Sequence, residues 1–306
     1  MRPLRGIGLK IASVVVFIAM ASLIKSVRGS IPAGETVFFR SFFAIPVIVI
    51  WLAWRQELSQ GLRAKAPLGH VWRGMMGTTA MGLGFAGLGL LPLPEVTAIG
   101  YAAPLLTVVF AAMFLGETVR AFRITAVGLG LTGVLIVLSP RLSAVDGDIS
   151  HAEALGAVLV LGGAVFSALA QVFVRKLVMS ESTSAIVFYF SLTATVLSLA
   201  TLPFGWAMPT ASEAARLVAA GLLGGVGQIL LTSSYREADA SLVAPFEYVS
   251  MLFALAIGYA VFDEVPTPVM LAGAALVIAA GILIIWRERQ LGLERSRQRK
   301  AMTPQG

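Results

Sequence analysis

An acidic side chain interrupts one of the most apolar stretches of this chain. Residues 241–262 read SLVAPFEYVSMLFALAIGYAVF, in which Glu247 is the single charged residue. A charged side chain inside hydrocarbon costs about 2.5 to 3.5 kcal/mol at the centre of a helix, and less near its ends. Three roles are therefore open for Glu247: a carboxylate that gains and loses a proton, a partner for a ligand's ammonium group, or a structural acid beside a lysine or arginine.

Two tyrosines, Tyr101 and Tyr248, lie six or seven residues into two apolar segments that share one layout. In each segment the tyrosine precedes a long apolar run that closes on a glutamate. Rings with polar tips suit a cavity for small amphipathic solutes, and they also suit the interfacial belts of membrane proteins. Because both tyrosines are far from the segment ends, we expect them to line a shared cavity.

Gln171, Gln228 and Thr78 are uncharged polar residues in otherwise apolar stretches. In lipid, a glutamine side chain needs a hydrogen-bond partner, either on a neighbouring helix or in a wet cavity. A threonine commonly bonds to its own helix. A place in a ligand pathway and a place in helix packing are both open for these three residues.

Lys25 and Arg40 are basic residues in the outer parts of the first two apolar segments. Long basic side chains can reach from such positions to the membrane surface. Arg40 is the deeper of the two, and it could hold a carboxylate through two parallel hydrogen bonds. Structural pairing of Arg40 with Glu35 or Glu95 is the preferred interpretation, and a role in charge coupling stays open for both basic residues.

Composition assigns these residues to a membrane protein. Hydrophobic residues make up 58% of the chain and charged residues 13%, whereas soluble proteins average about 45 to 50% and about 25%. Ten stretches lack Asp, Glu, Lys and Arg, and most approach the roughly 17 to 25 residues that a spanning helix needs. Lipid offers no partner to backbone groups, and a barrel would show alternating polarity. The sequence therefore predicts an all-α integral membrane protein with ten transmembrane helices.

The distribution of charge predicts the orientation in the membrane. Of the 23 basic residues, 18 fall on one side of such a bundle together with both termini. The positive-inside rule then places both termini in the cytoplasm, and we expect a bacterial inner membrane. The basic tail is interpreted as a topology signal that touches anionic headgroups and not as a nucleic-acid site. The expected partners are the bilayer and a small molecule, without a cofactor or a metal; a monomer is compatible with the sequence.

The chain divides into two related halves. A shift of 147 residues lays 74–117 over 221–264, so that Tyr101 meets Tyr248 and Glu117 meets Glu264. Each half holds five spans, and because five is odd, the second copy enters the membrane from the opposite side. A ligand site is then expected near the midplane, where the halves meet. The predicted helices are about 8–27, 34–54, 72–91, 95–115 and 121–139 in the first repeat (1–145), and 152–175, 183–204, 213–235, 241–262 and 267–287 in the second (146–288), followed by the tail 289–306.

The order of these features resembles the EamA-type branch of the drug/metabolite transporter superfamily, from about residue 7 to 287. The resemblance rests on Lys25, Pro32 and Arg40, on the glycine-rich fifth and tenth spans, and on the segment YAAPLLTVVFAAMFLGE with Pro104, Gly116 and Glu117. The second half departs from the pattern at Ser250, Met251 and Asp263, where many relatives carry Glu-Pro and a glycine.

Within the superfamily, the chain is most similar to the YddG-type amino-acid exporters. The resemblance implies a secondary transporter that exports small amino acids or related metabolites by alternating access, with neutral or aromatic side chains preferred. A zwitterion needs an acceptor for its ammonium group, for which Glu247 or Tyr248 would serve, and donors for its carboxylate, for which Gln171 or Gln228 would serve. The alternative keeps the architecture and changes the cargo to a nucleobase, a vitamin or another drug-like metabolite.

Other classes of membrane protein would need motifs that this sequence lacks. No G-x-x-x-x-G-K-[ST] pattern is present, so this chain alone does not form an ATP-driven pump. The close acid pairs, in 146–148 and 263–264, fall in short loops, so a Mg²⁺-dependent membrane enzyme is not expected. No filter-like segment or ring of pore-lining charge is visible, which disfavours a channel.

Overall fold

The computed structural model describes residues 3–27, 29–115, 121–142, 151–177, 180–237 and 244–302, and all regular secondary structure in these ranges is helical. Two short 3₁₀ segments, Leu202–Phe204 and Ala244–Tyr248, accompany the α-helices. The predicted all-α class is thus confirmed. The α-helices are α1 (Pro3–Lys25), α2 (Ala33–Phe42), α3 (Ala44–Trp54), α4 (Leu58–Gly61), α5 (Pro67–Leu90), α6 (Leu93–Gly100), α7 (Ala102–Leu115), α8 (Ala121–Leu142), α9 (His151–Leu177), α10 (Thr183–Leu199), α11 (Ala211–Glu237), α12 (Val249–Phe262) and α13 (Pro268–Met302).

These helices make about ten spans. Nine of the spans are the apolar stretches given at the end of this paragraph, and the tenth is the 24-residue helix α5. The prediction of a membrane protein of about ten helices is confirmed. Uniformly apolar segments become helices because the helix satisfies every backbone group within the segment. Six stretches are long and apolar enough to cross a membrane, Leu4–Lys25, Ala33–Trp54, Leu93–Phe114, His151–Val174, Ala211–Leu231 and Pro268–Arg287, and three are shorter, Ile124–Pro140, Ser184–Leu199 and Phe246–Phe262.

Two spans of the first half are broken, and a proline follows each break by three residues. α2 gives way to α3 at Phe43, with Pro46 beyond it. α6 gives way to α7 at Tyr101, with Pro104 beyond it. A proline has no N–H for the carbonyl four residues earlier, and in both spans that carbonyl belongs to the last residue of the preceding helix. The position of the proline therefore sets the position of the break.

Helices from different halves of the chain pack along one another. α1, the first span, packs along α11, the eighth, and α5, the third, packs along α9, the sixth. α8 packs along α13, the fifth span along the tenth, and α2 packs along α10, the second along the seventh. If each span is replaced by the equivalent span of the other half, the pair of spans one and eight becomes the pair of spans six and three. The pairs of spans five and ten and of spans two and seven stay the same. The packing pattern is therefore the same for both halves.

Glycines permit two of these close helix crossings. A Cβ added to Gly133 of α8 would lie 2.8 Å from the carbonyl oxygen of Gly273 in α13, and the reverse distance would be 2.7 Å. A Cβ added to Gly163 of α9 would lie 3.1 Å from the carbonyl oxygen of Ala80 in α5. Small residues allow such approach in membrane helix pairs. A Cβ added to Gly82, by contrast, would meet nothing within 4 Å, so Gly82 is not needed for a close helix crossing.

α5 begins earlier than the sequence indicates. The predicted start is about residue 72, whereas the helix begins at Pro67, whose missing N–H costs nothing in a first turn. The carboxylate of Glu181, in the loop before α10, accepts hydrogen bonds from the backbone N–H groups of Lys65, at 2.6 Å, and Ala66. These contacts hold the start of the helix, and they place Arg73 inside a span.

Two further helix ends differ from the predicted bounds. α10 ends at Leu199 because Pro203 cannot bond to the Leu199 carbonyl, and the predicted continuation to residue 204 becomes a 3₁₀ turn. α13 continues to Met302, so most of the predicted basic tail is helical. Gly116, Glu117 and the acidic loop 146–148 lie outside the described residues.

Candidate functional site

Tyr101 and Tyr248 meet where each half of the chain is broken. Tyr101 separates α6 from α7, with φ −66° and ψ −7°, and Tyr248 separates the 3₁₀ segment from α12, with φ −68° and ψ −13°. The two ring centroids are 5.0 Å apart in an edge-to-face arrangement with an interplanar angle of 72°. Such a pair contributes about 0.5 to 1.5 kcal/mol beyond its buried area. Matching sequence positions therefore have matching backbone conformations and touch each other.

The two tyrosine hydroxyl groups have different surroundings. The hydroxyl of Tyr101, a residue that is 5% exposed, is hydrogen-bonded to Oγ of Ser250 at 2.6 Å. Ser250 in turn donates to the carbonyl oxygen of Glu247 at 2.7 Å. The hydroxyl of Tyr248 lies against Gly281 of α13, where any side chain would overlap it. In this conformation the two rings pack between the spans, and Ser250 satisfies the hydroxyl of Tyr101.

Glu247 is paired with Lys10 of α1. The side chain of Lys10 is 2% exposed and that of Glu247 is 47% exposed. A lysine this deeply buried needs an anionic partner, because burial of an isolated charge costs several kcal/mol. The contact favours the structural role among the three that the sequence leaves open for Glu247. The ion pair also connects the first span to the start of the ninth span.

Lys25 forms a second buried ion pair, at the other end of α1. Its Nζ lies 2.7 Å from Oε1 of Glu264 and donates a hydrogen bond of 2.5 Å to the carbonyl oxygen of Leu91. The second oxygen of Glu264 accepts a hydrogen bond of 2.8 Å from the backbone N–H of Leu93. The Lys25 side chain is 0% exposed, so in this conformation it does not reach the membrane surface, which is one of the possibilities that the sequence leaves open. A carboxylate and a carbonyl oxygen inside the protein replace water as its partners.

Arg40 and Arg73 converge on one aromatic ring. The guanidinium carbon of Arg73 lies 3.8 Å from the ring centroid of Phe190 in α10, and that of Arg40 lies 5.7 Å from it. In both arginines, Nε and Nη1 are buried and have no hydrogen-bond partner among the described atoms. A cation–π contact contributes about 0.5 to 2 kcal/mol, less than the several kcal/mol that burial of an unpaired charge costs. The ring alone does not offset the burial of these cations.

The carboxylate predicted to pair with Arg40 is engaged elsewhere. Glu35 accepts a hydrogen bond of 3.0 Å from the backbone N–H of Ala207, and within the described part of the chain no ion pair joins it to Arg40. Glu35 and Arg40 are five residues apart, and five residues rotate an α-helix by about 500°, which is about 140° more than one full turn. The two side chains therefore point to different faces of α2. The second predicted partner, Glu95, is buried in the first turn of α6.

Gln171, Gln228 and Thr78 occupy three different environments. Gln171 is exposed on α9, whereas Gln228 is half-buried on α11. The hydroxyl oxygen of Thr78, in α5, is buried without a hydrogen-bond partner among the described atoms. Among the described hydrogen bonds, none joins these residues to the tyrosine pair. A ligand-pathway role for each of them stays a prediction.

Several residues of this interior were missed by sequence reasoning. Lys10 and Arg73 were counted only as charges that set topology, because they stand close to the predicted helix starts. A usable signal was present for Lys10, since a structural role for Glu247, one of the three that the sequence leaves open, needs a basic partner. No comparable signal pointed to Arg73, because its depth depends on where α5 begins. The contact between Ser250 and Tyr101 likewise depends on tertiary packing.

Comparison with known proteins connects this arrangement to a family. Residues 4–139 and 154–286 match the EamA-like transporter family. The pseudopaline exporter CntI of Pseudomonas aeruginosa is 30% identical over 281 residues, which cover 91% of this chain and 95% of that protein. An S-adenosylmethionine uptake transporter of Rickettsia bellii is 28% identical over 285 residues, which cover 93% and 94%.

A solved crystal structure supports the same fold. It superposes with a TM-score of 0.65 at 20% sequence identity and covers 95% of this chain and 99% of the other. The relatives named above act in opposite directions, one as an exporter and one in uptake. The match of the family model to both halves and the 30% identity to the exporter over nearly the whole chain lead to one conclusion: the chain belongs to the EamA-like transporter family, within the drug/metabolite transporter superfamily, and is a transporter rather than an enzyme.

Proposed function

We propose that this transporter exports a small amino acid or a related metabolite, with a preference for neutral or aromatic side chains. The observation that carries the proposal is the contact of Tyr101 with Tyr248, at rings 5.0 Å apart. Both residues lie at breaks in their spans, and transporters form substrate sites at such interruptions, where backbone groups are released from the helix. Two aromatic rings with polar tips suit a small amphipathic solute.

The transport cycle that we propose is alternating access between two halves of opposite orientation, with both termini in the cytoplasm. Support comes from the packing, which is the same when the two five-span halves are exchanged. The inverted arrangement gives a site that opens to one side and then to the other as the halves rock. An odd number of spans in each half is the sequence feature that requires the inversion.

Two buried ion pairs on α1 fit this cycle as closing contacts. The pair of Lys10 with Glu247 lies toward the start of α1, and that of Lys25 with Glu264 lies at its end. Both acids flank α12, so α1 is connected to the two ends of the ninth span. In the proposed orientation, the first pair faces the cytoplasm and the second faces outward. Access from either side then requires the pair on that side to separate.

The proposal also covers energy coupling. Because Glu247 is held by Lys10 in this conformation, export down a concentration gradient needs no titration of that carboxylate. Release of the pair in the opposite conformation would expose Glu247 to the ammonium group of a cargo amino acid. Gradient-driven flux that depends on Glu247 would instead identify it as the proton carrier.

A second candidate cargo is a nucleobase, a vitamin or another drug-like metabolite. The observation in its favour is the similarity to a transporter named for S-adenosylmethionine, at 28% identity. That relative also imports, so the family does not fix the direction of flux. The architecture and the proposed cycle are the same for either cargo.

The experiment that tests the proposal uses purified full-length protein in liposomes. Efflux of a labelled panel is followed with and without an imposed pH gradient; the panel contains phenylalanine, leucine, alanine, adenine and riboflavin. We expect phenylalanine and leucine to leave the vesicles faster than from protein-free vesicles. Efflux of adenine or riboflavin alone would select the second candidate, and movement of none of the amino acids would overturn the proposed cargo.

A further inference from the structure

Two arginines lie together inside the bundle, away from the ion pairs on α1. Arg40 comes from α2, with 4% of its surface exposed, and Arg73, which is half-buried, comes from α5. Their guanidinium carbons lie 5.7 Å and 3.8 Å from the centroid of the same ring, Phe190 of α10. Three spans therefore bring two cations to one aromatic surface, and this group of three residues is called the arginine pair site below.

The donors of this site are unsatisfied by the protein. Nε and Nη1 of Arg40 and of Arg73 are buried, and within the described ranges none of the four atoms has a hydrogen-bond partner. Buried polar groups in folded proteins are almost always paired, and a guanidinium group stays charged at any physiological pH. Two like charges beside one ring also repel each other. An anion between them would satisfy the donors and remove the repulsion.

Glycines stand beside both guanidinium groups. A Cβ added to Gly77 of α5 would overlap Nη1 of Arg73 and lie 2.8 Å from Cε2 of Phe190. A Cβ added to Gly224 of α11 would lie 3.2 Å from Nε of Arg40. The arginine heads therefore occupy space that any larger residue would fill. The same chain keeps its other interior cations, Lys10 and Lys25, in direct contact with carboxylates.

We propose that the arginine pair site binds the carboxylate of the transported solute, with the apolar part of that solute near Phe190. This inference rests on the proposed function for the identity of the cargo. It assigns the carboxylate of the cargo to the arginine pair site and not to the tyrosine pair. Guanidinium groups bind carboxylates through parallel N–H···O hydrogen bonds, which are stronger and more directional than bonds to neutral acceptors. Cargo without an acidic group is bound weakly.

The first test measures binding in detergent, without transport. The probe is 3-phenylpropionate, which has a ring and a carboxylate but no ammonium group, and its neutral counterpart is 3-phenylpropionamide; chloride is kept constant. We expect the acid to raise the unfolding temperature of wild-type protein and the amide to have no effect. In Arg73→Gln and in Arg40→Gln, we expect the affinity for the acid to fall at least about tenfold, as for the loss of a charged hydrogen bond.

A steric variant covers the case in which an arginine variant does not fold. Gly77→Ala keeps both charges and crowds the Arg73 head, whereas Gly82→Ala adds the same methyl group to the same helix where nothing lies within 4 Å. We expect weakened binding of 3-phenylpropionate in the first variant and wild-type binding in the second. Equal stabilisation by acid and amide, or wild-type affinity for the acid in both Gly77→Ala and Arg73→Gln, would overturn the arginine pair site.

The liposome assay separates this inference from the proposed function. Phenylalanine efflux with an unchanged KM in Arg73→Gln would support amino-acid export and overturn the carboxylate site. Arginine-dependent binding of 3-phenylpropionate without any amino-acid efflux would support the carboxylate site and overturn the amino-acid cargo. A raised KM for phenylalanine in Arg73→Gln, with Arg55→Gln on an exposed loop as the control, supports both.

Discussion

Two groups of interior cations in this protein differ in what surrounds them. Lys10 and Lys25, at the two ends of α1, each contact a carboxylate. Arg40 and Arg73 share an aromatic ring and leave four buried N–H donor atoms without a partner among the described atoms. Removal of one partner of a buried ion pair destabilises the fold, and an unpaired buried cation destabilises it until an anion binds. The difference separates charges that are paired between spans from charges that, in our proposal, bind a ligand.

The largest expected effect is on stability, at the outer pair of α1. Lys25→Met leaves Glu264 buried beside backbone groups without its cation, and removal of one partner of a buried pair costs about 3 to 5 kcal/mol. Thermal unfolding in detergent measures the loss. The double variant Lys25→Met with Glu264→Leu should recover much of it, since no unpaired charge remains. A single variant as stable as wild type would contradict the structural role.

Lys10→Met should have a smaller effect of the same sign. Glu247 is 47% exposed, so solvent can take over part of the lost contact, and we expect a loss of about 1 to 2 kcal/mol, between the ranges for exposed and buried pairs. The matched variant Glu247→Gln also tests coupling in liposomes. Loss of gradient-driven flux with exchange preserved would identify a proton carrier, and unchanged driven flux would leave Glu247 a structural acid.

The hydroxyl of Tyr101 allows a smaller change. Tyr101→Phe removes the hydrogen bond to Ser250 and leaves the ring, so we expect a loss of about 0.5 to 1.5 kcal/mol. Tyr101→Ala and Tyr248→Ala also remove the ring contact, and each should weaken the apparent affinity for phenylalanine in the efflux assay. Normal affinity in both alanine variants would contradict the role of the tyrosine pair.

Arg73→Met should have the opposite sign from the lysine variants. Arg73 is half-buried, and its Nε and Nη1 have no hydrogen-bond partner among the described atoms. Replacing such a cation with an apolar side chain of similar length is expected to leave stability unchanged or to raise it by about 1 kcal/mol, as for other replacements of buried charges by apolar residues. The same variant should lose 3-phenylpropionate binding. A loss of stability as large as that of Lys25→Met would place Arg73 among the structural cations and remove the contrast.

The smallest effect concerns the loop carboxylate of Glu181. Burial raises its pKa, but the N–H groups of Ala66 and Lys65 and the nearby His70 together hold the pKa below its usual value of 4.5. Because the folded-state pKa is lowered, its contribution to stability is complete above about pH 4.5 and is lost as the pH falls through the folded value. Glu181→Gln should reduce the fall in unfolding temperature over that acid range. An unchanged acid profile in this variant would contradict the assignment.

The fold was largely predictable from the sequence, and the contacts of the interior were not. The number of spans follows from charge-free length. The breaks at Phe43 and Tyr101 interrupt the predicted helices 34–54 and 95–115 and were not predicted, although Pro46 and Pro104 stand three residues beyond them. The role of Lys25 stayed open because the same local sequence allows its side chain to point toward the surface or toward Glu264, more than 200 residues away. Arg73 was misjudged because the start of α5 depends on a carboxylate from a distant loop.

The sequence by itself determined that this chain is an all-helical membrane protein of about ten spans, since a bilayer forces apolar segments to satisfy their backbone groups within helices. It also marked Tyr101 and Tyr248 as equivalent positions. Only the tertiary structure decided which interior charges are paired. Ion pairing depends on distances of 3 to 4 Å between spans, and those distances result from how glycines and side chains of separate helices pack.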